Sequence, residues 1–331
     1  MSRRLRRIPV IKRAAKMSEH AFDLMRMQEG LRKWNADVIH YQQPVAPVIE
    51  ALLVRRLTAV APMVSTIHNA EPLHGEHKLL AKGYTRYLRA FAHHVVHTDA
   101  AREHLQRMMP RLDNSKITII RPAIYSHYVS NDSADLSAFQ ELSAKNERIV
   151  LLFGNIREYK GYTYALQAFS LLSESVRSET LLVIAGNPTE GVSGLRRLAA
   201  ELNISHRIRW ITRFIDDDEL NDLFKRADIV LAPHVQSDLS GILMVALNYH
   251  VAVVATALGS FAEYLEDGVQ GRLVSPRDSA AMAHALEDLL GDPSKLMRCK
   301  DNLRDSARDW PTWQQVASQH ESLYRAVISN G

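Results

Sequence analysis

Short apolar runs alternate with longer segments of helical spacing along most of the chain, and this alternation predicts its secondary structure. The predicted strands lie at the end of Trp34–Tyr41 and at Pro62–Ile67, His93–His97, Ile117–Ile120, Arg148–Phe153, Leu181–Ala185, Ile208–Trp210, Asp228–Ala232 and Ala252–Ala255. The predicted helices include Ala46–Leu57, Leu79–Phe91, Tyr162–Leu172, Gly194–Leu202, Glu219–Arg226, Ser279–Leu290 and Trp313–Ser329. Regular alternation of the two predicts the α/β class, with parallel sheets covered by helices on both faces.

The segment from His234 to Val274 organises the second half of the chain. A polar loop, Gln236–Gly241, separates a buried strand from an apolar helix, and Ser240 is predicted to cap that helix. After the next strand, the loop Thr256–Ser260 leads into another helix. Because the carboxyl ends of parallel strands meet at one edge of a sheet, two helix N-termini are expected there. Free backbone N–H groups and the helix dipole favour phosphate at such an edge.

The chain is long enough for two such α/β domains, each with its own core, at 331 residues. The polar stretch Ser126–Asn146 is predicted to connect them and to contain a short helix at Leu136–Leu142. We therefore expect a first domain at residues 1–130, a linker at 131–147, a second domain at 148–305 and a final helical segment at 306–331.

Composition is that of an ordinary globular protein, with 46% hydrophobic and 24% charged residues. The single cysteine, Cys299, excludes a disulfide framework and suits a reducing compartment such as the cytoplasm. No apolar run approaches the roughly 20 residues that a membrane-spanning helix needs.

The net charge of +4 comes largely from the start of the chain, Arg3–Lys16, where basic and apolar residues alternate irregularly. This segment fits either a peripheral contact with anionic lipid at the inner face of a membrane or a solvated, frayed terminus. A nucleic-acid arm lacks support, because no aromatic residues are interleaved with the cations. A secretory signal is excluded, since Pro9 and Lys12 interrupt the apolar positions.

Several ordered motifs carry a family resemblance. They are Ser240-Gly241-Ile242-Leu243-Met244, Val253-Val254-Ala255-Thr256, Gly259-Ser260-Phe261-Ala262-Glu263 and Asp267-Gly268-Val269-Gln270-Gly271 in the second half, with Thr66-Ile67-His68-Asn69, Val96–Glu103 and Ala307–Tyr324 elsewhere. In order and spacing they resemble GT-B glycosyltransferases, in particular retaining family 4 (glycosyl transferases group 1). The resemblance implies two Rossmann-like, doubly wound domains and a final helix that returns to the first domain.

The resemblance also implies a function: transfer of a sugar from a nucleotide-sugar donor to a saccharide or lipid-linked acceptor, with retention of configuration and without metal or cofactor. In the loop Gly154–Gly161, the guanidinium of Arg157 and the ammonium of Lys160 would bind the donor diphosphate. The other residues implied for donor diphosphate and sugar are Gly154, Ser237, Ser240, Gly241 and Glu263, with Gly186 and Asn187 beside the base. His68 and Asp238 are the catalytic candidates.

The chain departs from the family pattern at several positions. Family members carry a pair of glutamates where this chain has Ser237 and Val245, and valine cannot accept a hydrogen bond from a ribose hydroxyl. His250 and Ser260 stand where glycine is usual, and the opening strand with its glycine-rich loop is missing before Trp34. These departures favour an alternative: a catalytically degenerate GT-B protein that binds a sugar, a nucleotide or a partner glycosyltransferase without turnover.

Two polar clusters have a structural interpretation. The acids Asp216–Glu219 precede a helix and are expected to stabilise its N-terminus, as Thr98 is for the helix beginning at Ala100. A group of histidines and glutamates after the second strand, His68, Glu71, His74, Glu76 and His77, has no zinc-site spacing, and no metal is expected there.

Overall fold

The computed structural model describes residues 19, 22–24, 26–42, 44, 50–52, 54–69, 78–125, 147–189 and 191–329, without side-chain detail for 78–82. The chain divides into two compact units, Met1–Arg121 with Gln314–Gly331 and Pro122–Trp313. The basic segment Arg3–Lys16, the predicted helix Leu136–Leu142 and nearly all of the predicted linker lie outside the described residues.

The first unit contains a parallel sheet of four strands in the order β1-β2-β3-β4, and helices follow two of them. The strands are β1 (Ile39–Tyr41), β2 (Met63–Thr66), β3 (His93–Val96) and β4 (Ile117–Ile119). The helices are α1 (Lys78–Leu88) and α2 (Asp99–Met108), with residues 26–33 also helical and a 3-10 helix at Val54–Ala59. Thr98 caps α2 as predicted, because its hydroxyl accepts a hydrogen bond from the Ala101 N–H at 3.0 Å.

The second unit contains a parallel sheet of six strands in the order β10-β9-β8-β5-β6-β7. The strands are β5 (Arg148–Phe153), β6 (Thr180–Ala185), β7 (Ile208–Ile211), β8 (Ile229–Ala232), β9 (Ala252–Thr256) and β10 (Gly271–Val274). The helices are α3 (Tyr162–Ser170), α4 (Glu174–Ser178), α5 (Ser193–Glu201), α6 (Asp217–Arg226), α7 (Gly241–Tyr249), α8 (Gly259–Tyr264), α9 (Ser279–Leu290), α10 (Pro293–Arg308) and α11 (Trp313–Ser329). Helices α3 to α10 belong to this unit, whereas α11 belongs to the first unit from Gln314 onward.

The strand order reverses between β5 and β8, which lie side by side although four α-helices and two strands separate them in sequence. The chain first winds outward from β5 through β6 to β7, and then returns to build β8, β9 and β10 on the other side. Doubly wound sheets bind ligands outside the carboxyl ends of their strands at such a switch point. A ligand site is therefore expected at the loops after β5 and β8.

Both faces of this sheet are buried, which explains why its strands are almost continuous apolar runs. Along β5, Ile149 and Leu151 belong to one core cluster, whereas Val150 and Leu152 belong to the cluster on the opposite face. Helix α7 is buried along its whole middle, Ile242–Leu247. Burying side chains of this size contributes roughly 2 kcal/mol each.

Some local features differ from the sequence predictions. The pattern did not predict β10, an edge strand with mixed polarity, nor α10, whose charged surface hides its apolar stripe. The capping residue Asp292, whose carboxylate accepts from Ser294 N–H at 2.9 Å, followed by Pro293 at the first turn, was the available signal for α10.

His250 ends α7 in the left-handed region, with φ +54°, which explains why relatives carry glycine there. Asp216 and Glu219 form a reciprocal capping box at the start of α6, so their structural interpretation is confirmed. No helix in the described part of the chain is long and apolar enough to cross a membrane.

Candidate functional site

The loop that follows β5 is shaped around the side chain of Lys160. Gly154 has φ +105°, and a Cβ at this position would lie 2.5 Å from Lys160 Nζ. Nζ donates a hydrogen bond to the carbonyl oxygen of Phe153 at 3.3 Å. The lysine therefore folds back over the end of β5, and glycine at position 154 leaves the space that its ammonium occupies.

Lys160 holds a positive charge that no acidic side chain in the described part of the chain balances. Burial, with a smaller contribution from the nearby guanidinium of Arg157, lowers the pKa of its ammonium to about 8. Within the described residues, no carboxylate forms an ion pair with Nζ. A partly buried cation pair of this kind costs free energy in the unbound protein and is an arrangement that an anionic ligand would stabilise.

The loops after β5 and β8 are held together by backbone contacts. The Val235 N–H donates to the carbonyl oxygen of Tyr159 at 2.8 Å. Gly161 has φ +71°, and a Cβ there would lie only 1.9 Å from the carbonyl oxygen of Pro233. Only glycine permits this approach, which sets Lys160 at the switch point of the sheet.

The loop after β8 is joined in turn to the start of α8. The Ser260 N–H donates to the carbonyl oxygen of Asp238 at 2.9 Å, and the Ser260 hydroxyl accepts from the Ser240 N–H at 3.1 Å. Ser237 is buried, and a Cβ on Gly259 would lie 2.4 Å from its carbonyl oxygen. Ser237, Ser240 and Asp238 thus lie on one rigid loop, and the serine that replaces the second glycine of the family pattern has a structural role.

Two details of this loop correct the sequence predictions. Ser240 occupies the N-cap position of α7, but its side chain makes no capping hydrogen bond, so the predicted cap is wrong. The amide of Ser260 is already bonded to Asp238 and is not free for phosphate. Glu263, which the resemblance implies for the donor, is exposed and is the fifth of the six residues of α8.

The remaining second-unit candidates border the same edge of the sheet. Gly186 has φ +147° and packs against Gly154, because a Cβ there would lie 2.1 Å from the Gly154 carbonyl oxygen. The carbonyl oxygen of Asn187 accepts from the Ile156 N–H at 2.9 Å, and the Asn187 residue is exposed. Gly241 begins α7, where a Cβ would lie 3.4 Å from the ring of Tyr125.

His234 lies in this site and was not predicted from the sequence. Its ring is buried beside Tyr159 and Phe261, and within the described structure Nδ1 has no hydrogen-bond partner. Burial lowers the pKa of His234 to about 3, and the positive charge of Lys160 contributes to the lowering. Its position directly after Pro233 at the end of a buried strand was the signal available in the sequence.

Val245 lies on the buried side of α7, within the core cluster, with 5% of its surface exposed. No side-chain hydrogen-bond acceptor therefore stands at the position where the family resemblance implies a second glutamate. The described residues contain no group of three or more histidine, cysteine, aspartate or glutamate side chains suited to a metal ion. Four residues of the histidine-rich loop, Glu71, His74, Glu76 and His77, lie outside the described residues.

His68 lies in the first unit, directly beyond the carboxyl end of β2. Its Nδ1 is 3.0 Å from Nε2 of His97, which follows β3. Burial lowers the pKa of His68, so the imidazole is neutral at neutral pH.

Fold and site together define an α/β protein of two Rossmann-like units, the second of which carries a cation pair at its switch point. Residues 134–306 match the family model for glycosyl transferases group 1, and residues 2–126 match that for Glycosyltransferase Family 4. The chain belongs to the glycosyl transferases group 1 family, and the predicted GT-B architecture is confirmed.

Two named relatives and one solved structure are similar to this chain. D-inositol 3-phosphate glycosyltransferase from Corynebacterium glutamicum is 27% identical over 240 residues, which cover 69% of this chain and 56% of that protein. Phosphatidyl-myo-inositol mannosyltransferase from Mycobacterium leprae is 27% identical over 307 residues, covering 91% of this chain and 77% of that protein. The crystal structure of Anabaena HepE with UDP-glucose superposes with a TM-score of 0.77 at 18% identity, covering 90% and 82% of the two chains. The match thus spans little more than half of the corynebacterial protein.

Proposed function

We propose that this chain transfers a sugar from a nucleotide-sugar donor to a hydroxyl of a saccharide or lipid-linked acceptor. Family membership supports the reaction class. Support for the donor class comes from HepE, which shares the fold and was crystallised with UDP-glucose. The names of the two relatives mention inositol compounds, whose hydroxyl groups are chemically similar to those of a saccharide.

The observation that carries this proposal is the ammonium of Lys160 beside Arg157 at the β5–β8 switch point. A departing nucleoside diphosphate develops negative charge on its phosphate oxygens as the bond to the sugar breaks. Fixed cations at that place stabilise the transition state more than the ground state, and partial burial strengthens their effect. Lys160 has no competing carboxylate in the described structure, so its charge is available to the ligand.

The surrounding loops have proposed roles that follow from their position at the same edge. The segment Ser237–Gly241 would contact the donor sugar, and Glu263 would reach the donor from α8. Gly186 and Asn187 would border the base. His68 and Asp238 are proposed as catalytic residues.

The finer features of the reaction are proposals with direct tests. Retention of configuration predicts that an α-linked donor gives an α-linked product, which the anomeric signals in proton NMR distinguish. Metal independence follows from the use of Arg157 and Lys160 as counter-charges, and predicts equal rates with and without EDTA. A cytoplasmic reaction near the membrane predicts that Arg3–Lys16 promotes co-sedimentation with anionic vesicles but not with neutral ones.

The main experiment measures release of nucleoside diphosphate from UDP-glucose and GDP-mannose by the full-length chain, with and without simple saccharide acceptors. Lys160→Ala is expected to reduce turnover by roughly a hundredfold or more, as for loss of a transition-state electrostatic contact. Lys225→Ala, which removes an exposed lysine on α6, is the matched control and should leave turnover within about twofold of wild type. Equal rates for the Lys160 variant and wild type would contradict the proposal.

A second candidate function is supported by Val245. Because its side chain lies in the core and offers no acceptor, the contact to ribose that a glutamate provides is lost. A degenerate protein that binds a nucleotide or sugar without turnover would fit that loss. Calorimetric binding of UDP together with no release of nucleoside diphosphate from either donor would favour this second function.

A further inference from the structure

Hydrogen bonds link two histidines and a backbone carbonyl in series at the carboxyl edge of the first unit's sheet. His97 Nδ1 lies 2.8 Å from the carbonyl oxygen of Ile120, and His97 Nε2 lies 3.0 Å from His68 Nδ1. The two imidazole planes are within 24° of parallel, and their ring centroids lie 4.9 Å apart. His97 is buried, whereas His68 is only partly buried.

The carbonyl oxygen of Ile120 determines which ring nitrogen carries the proton in His97 and, through it, in His68. A carbonyl oxygen only accepts, so Nδ1 of His97 must carry the proton that it donates. In the neutral ring Nε2 then has a lone pair and accepts from His68. His68 must therefore carry its own proton on Nδ1, which leaves Nε2 of His68 as a hydrogen-bond acceptor.

Both rings are neutral near pH 7, which this assignment requires. Burial is the main cause that lowers the pKa of His97 to about 4. The hydrogen bond to the Ile120 carbonyl opposes it, and the neighbouring His68 and His320 add smaller lowering effects. His40 faces the same group from β1, and its pKa is lowered to about 4 by burial, His320 and His68. None of these neighbours supplies a negative charge that would protonate the pair.

We propose that His97 is a positioning residue that holds His68 as the Nδ1–H tautomer, so that His68 Nε2 accepts a hydrogen bond from a hydroxyl group of the ligand. Among the described residues, no protein group bonds to Nε2 of His68, so this lone pair is free for a ligand. A phosphate oxygen has no proton to give it, whereas a sugar hydroxyl does. The inference rests on the proposed function and gives His68, the catalytic candidate of the first unit, a hydroxyl group as its contact.

The test is the tautomer of His68 in the full-length chain at pH 7.5, read from the ring-nitrogen signals of histidine-labelled protein by NMR. The wild-type spectrum decides the assignment without any variant. We expect a protonated Nδ1 and an unprotonated Nε2 for both His68 and His97. A proton on Nε2 of His68 in the wild-type chain would overturn the proposal.

His97→Phe keeps the ring shape and removes the acceptor, so His68 is expected to lose its preference for the Nδ1–H form. His93→Phe is the matched control. His93 lies on β3, which His97 follows, and its ring is 2.8 Å from the hydroxyl of Thr118 instead of bonding to His97 or His68. His68 fixed as Nδ1–H in both variants would show that His97 does not position it, and would equally overturn the proposal.

Turnover of UDP-glucose separates this proposal from the proposed function. We expect kcat/KM to fall roughly tenfold in His97→Phe and to stay within about twofold in His93→Phe, as loss of one hydrogen-bonded contact predicts. Equal kcat/KM in the two variants, with wild-type turnover present, would contradict the assignment of His68 to the sugar. If the wild-type chain has the expected tautomer but turns over no nucleotide sugar, the proposed function fails and the positioning of His68 by His97 stands.

Discussion

Replacing Lys160 by methionine is expected to stabilise the unbound protein, although it damages the site. Lys160 is charged at neutral pH in a place that disfavours charge, since its pKa is about 8 against an ordinary value of 10.5. That difference corresponds to roughly 3 kcal/mol of free energy that folding spends to keep the ammonium protonated. Losing the hydrogen bond to Phe153 removes about 1 kcal/mol. The net expectation at pH 7 is a gain of about 2 kcal/mol in the free energy of unfolding.

The pH dependence provides the sharper test. Below pH 8 the lysine is charged in both the folded and the unfolded chain, so the full penalty applies. Between pH 8 and 10.5 the folded protein releases its proton first, and the penalty disappears as the pH rises. Wild type should therefore gain stability relative to Lys160→Met across this window, with the difference near pH 7 removed or reversed near pH 11.

Urea unfolding followed by circular dichroism at pH 7 and pH 10, with Lys225→Met as the exposed-lysine control, measures these differences. The control should stay within about 0.5 kcal/mol of wild type at both pH values. A Lys160→Met protein that is less stable than wild type at pH 7, or whose difference from wild type does not change with pH, would refute the reasoning about a costly buried cation.

Three further predictions concern the scaffold. Gly161→Ala should lower the free energy of unfolding by about 3 kcal/mol or more, because the added Cβ would meet the Pro233 carbonyl. Gly191→Ala is the control: this glycine also has a positive φ (+83°) but faces open space, so the change should cost about 1 kcal/mol. Equal losses of the two variants in thermal melts would contradict the steric argument. Tyr324→Phe removes the hydroxyl that bonds to His40 and should lower stability by about 1 kcal/mol in urea unfolding, so an unchanged midpoint would count against that contact. Folding lowers the pKa of His97 from 6.5 to about 4, so the unfolded chain binds a proton first as the pH falls, and the free energy of unfolding decreases between pH 6.5 and 4. This decrease should be smaller in His97→Phe. An identical decrease in the variant and wild type, measured by urea unfolding, would contradict the prediction.

The strands and the cationic loop could be predicted because their signals are local. A run such as Arg148–Phe153 is apolar enough to be buried on both faces, and the loop Gly154–Gly161 combines glycines with cations directly after it. The loops after β5 and β8 lie together because these two strands are neighbours in the parallel sheet.

Other parts of the site depend on contacts between segments distant in sequence. Ser240 was expected to cap α7, but its N–H instead bonds to the Ser260 hydroxyl, which lies 20 residues further along the chain. The hydrogen bonds that link Ile120, His97 and His68 join the ends of three strands, and the sequence of no single strand predicts them. The environment of His234 also depends on the fold, which buries its ring close to Lys160.

The central claim is that Lys160 and its neighbours at the β5–β8 switch point bind a nucleoside diphosphate. Isothermal titration calorimetry of the full-length chain with UDP, GDP, ADP and the matching nucleosides tests it most directly. We expect at least one diphosphate to bind at pH 7, its nucleoside to bind far more weakly, and the diphosphate affinity to fall roughly tenfold or more in Lys160→Met, in line with a charged hydrogen bond of about 2 kcal/mol. Absence of binding by all three diphosphates, or an affinity that the substitution leaves unchanged, would contradict the claim.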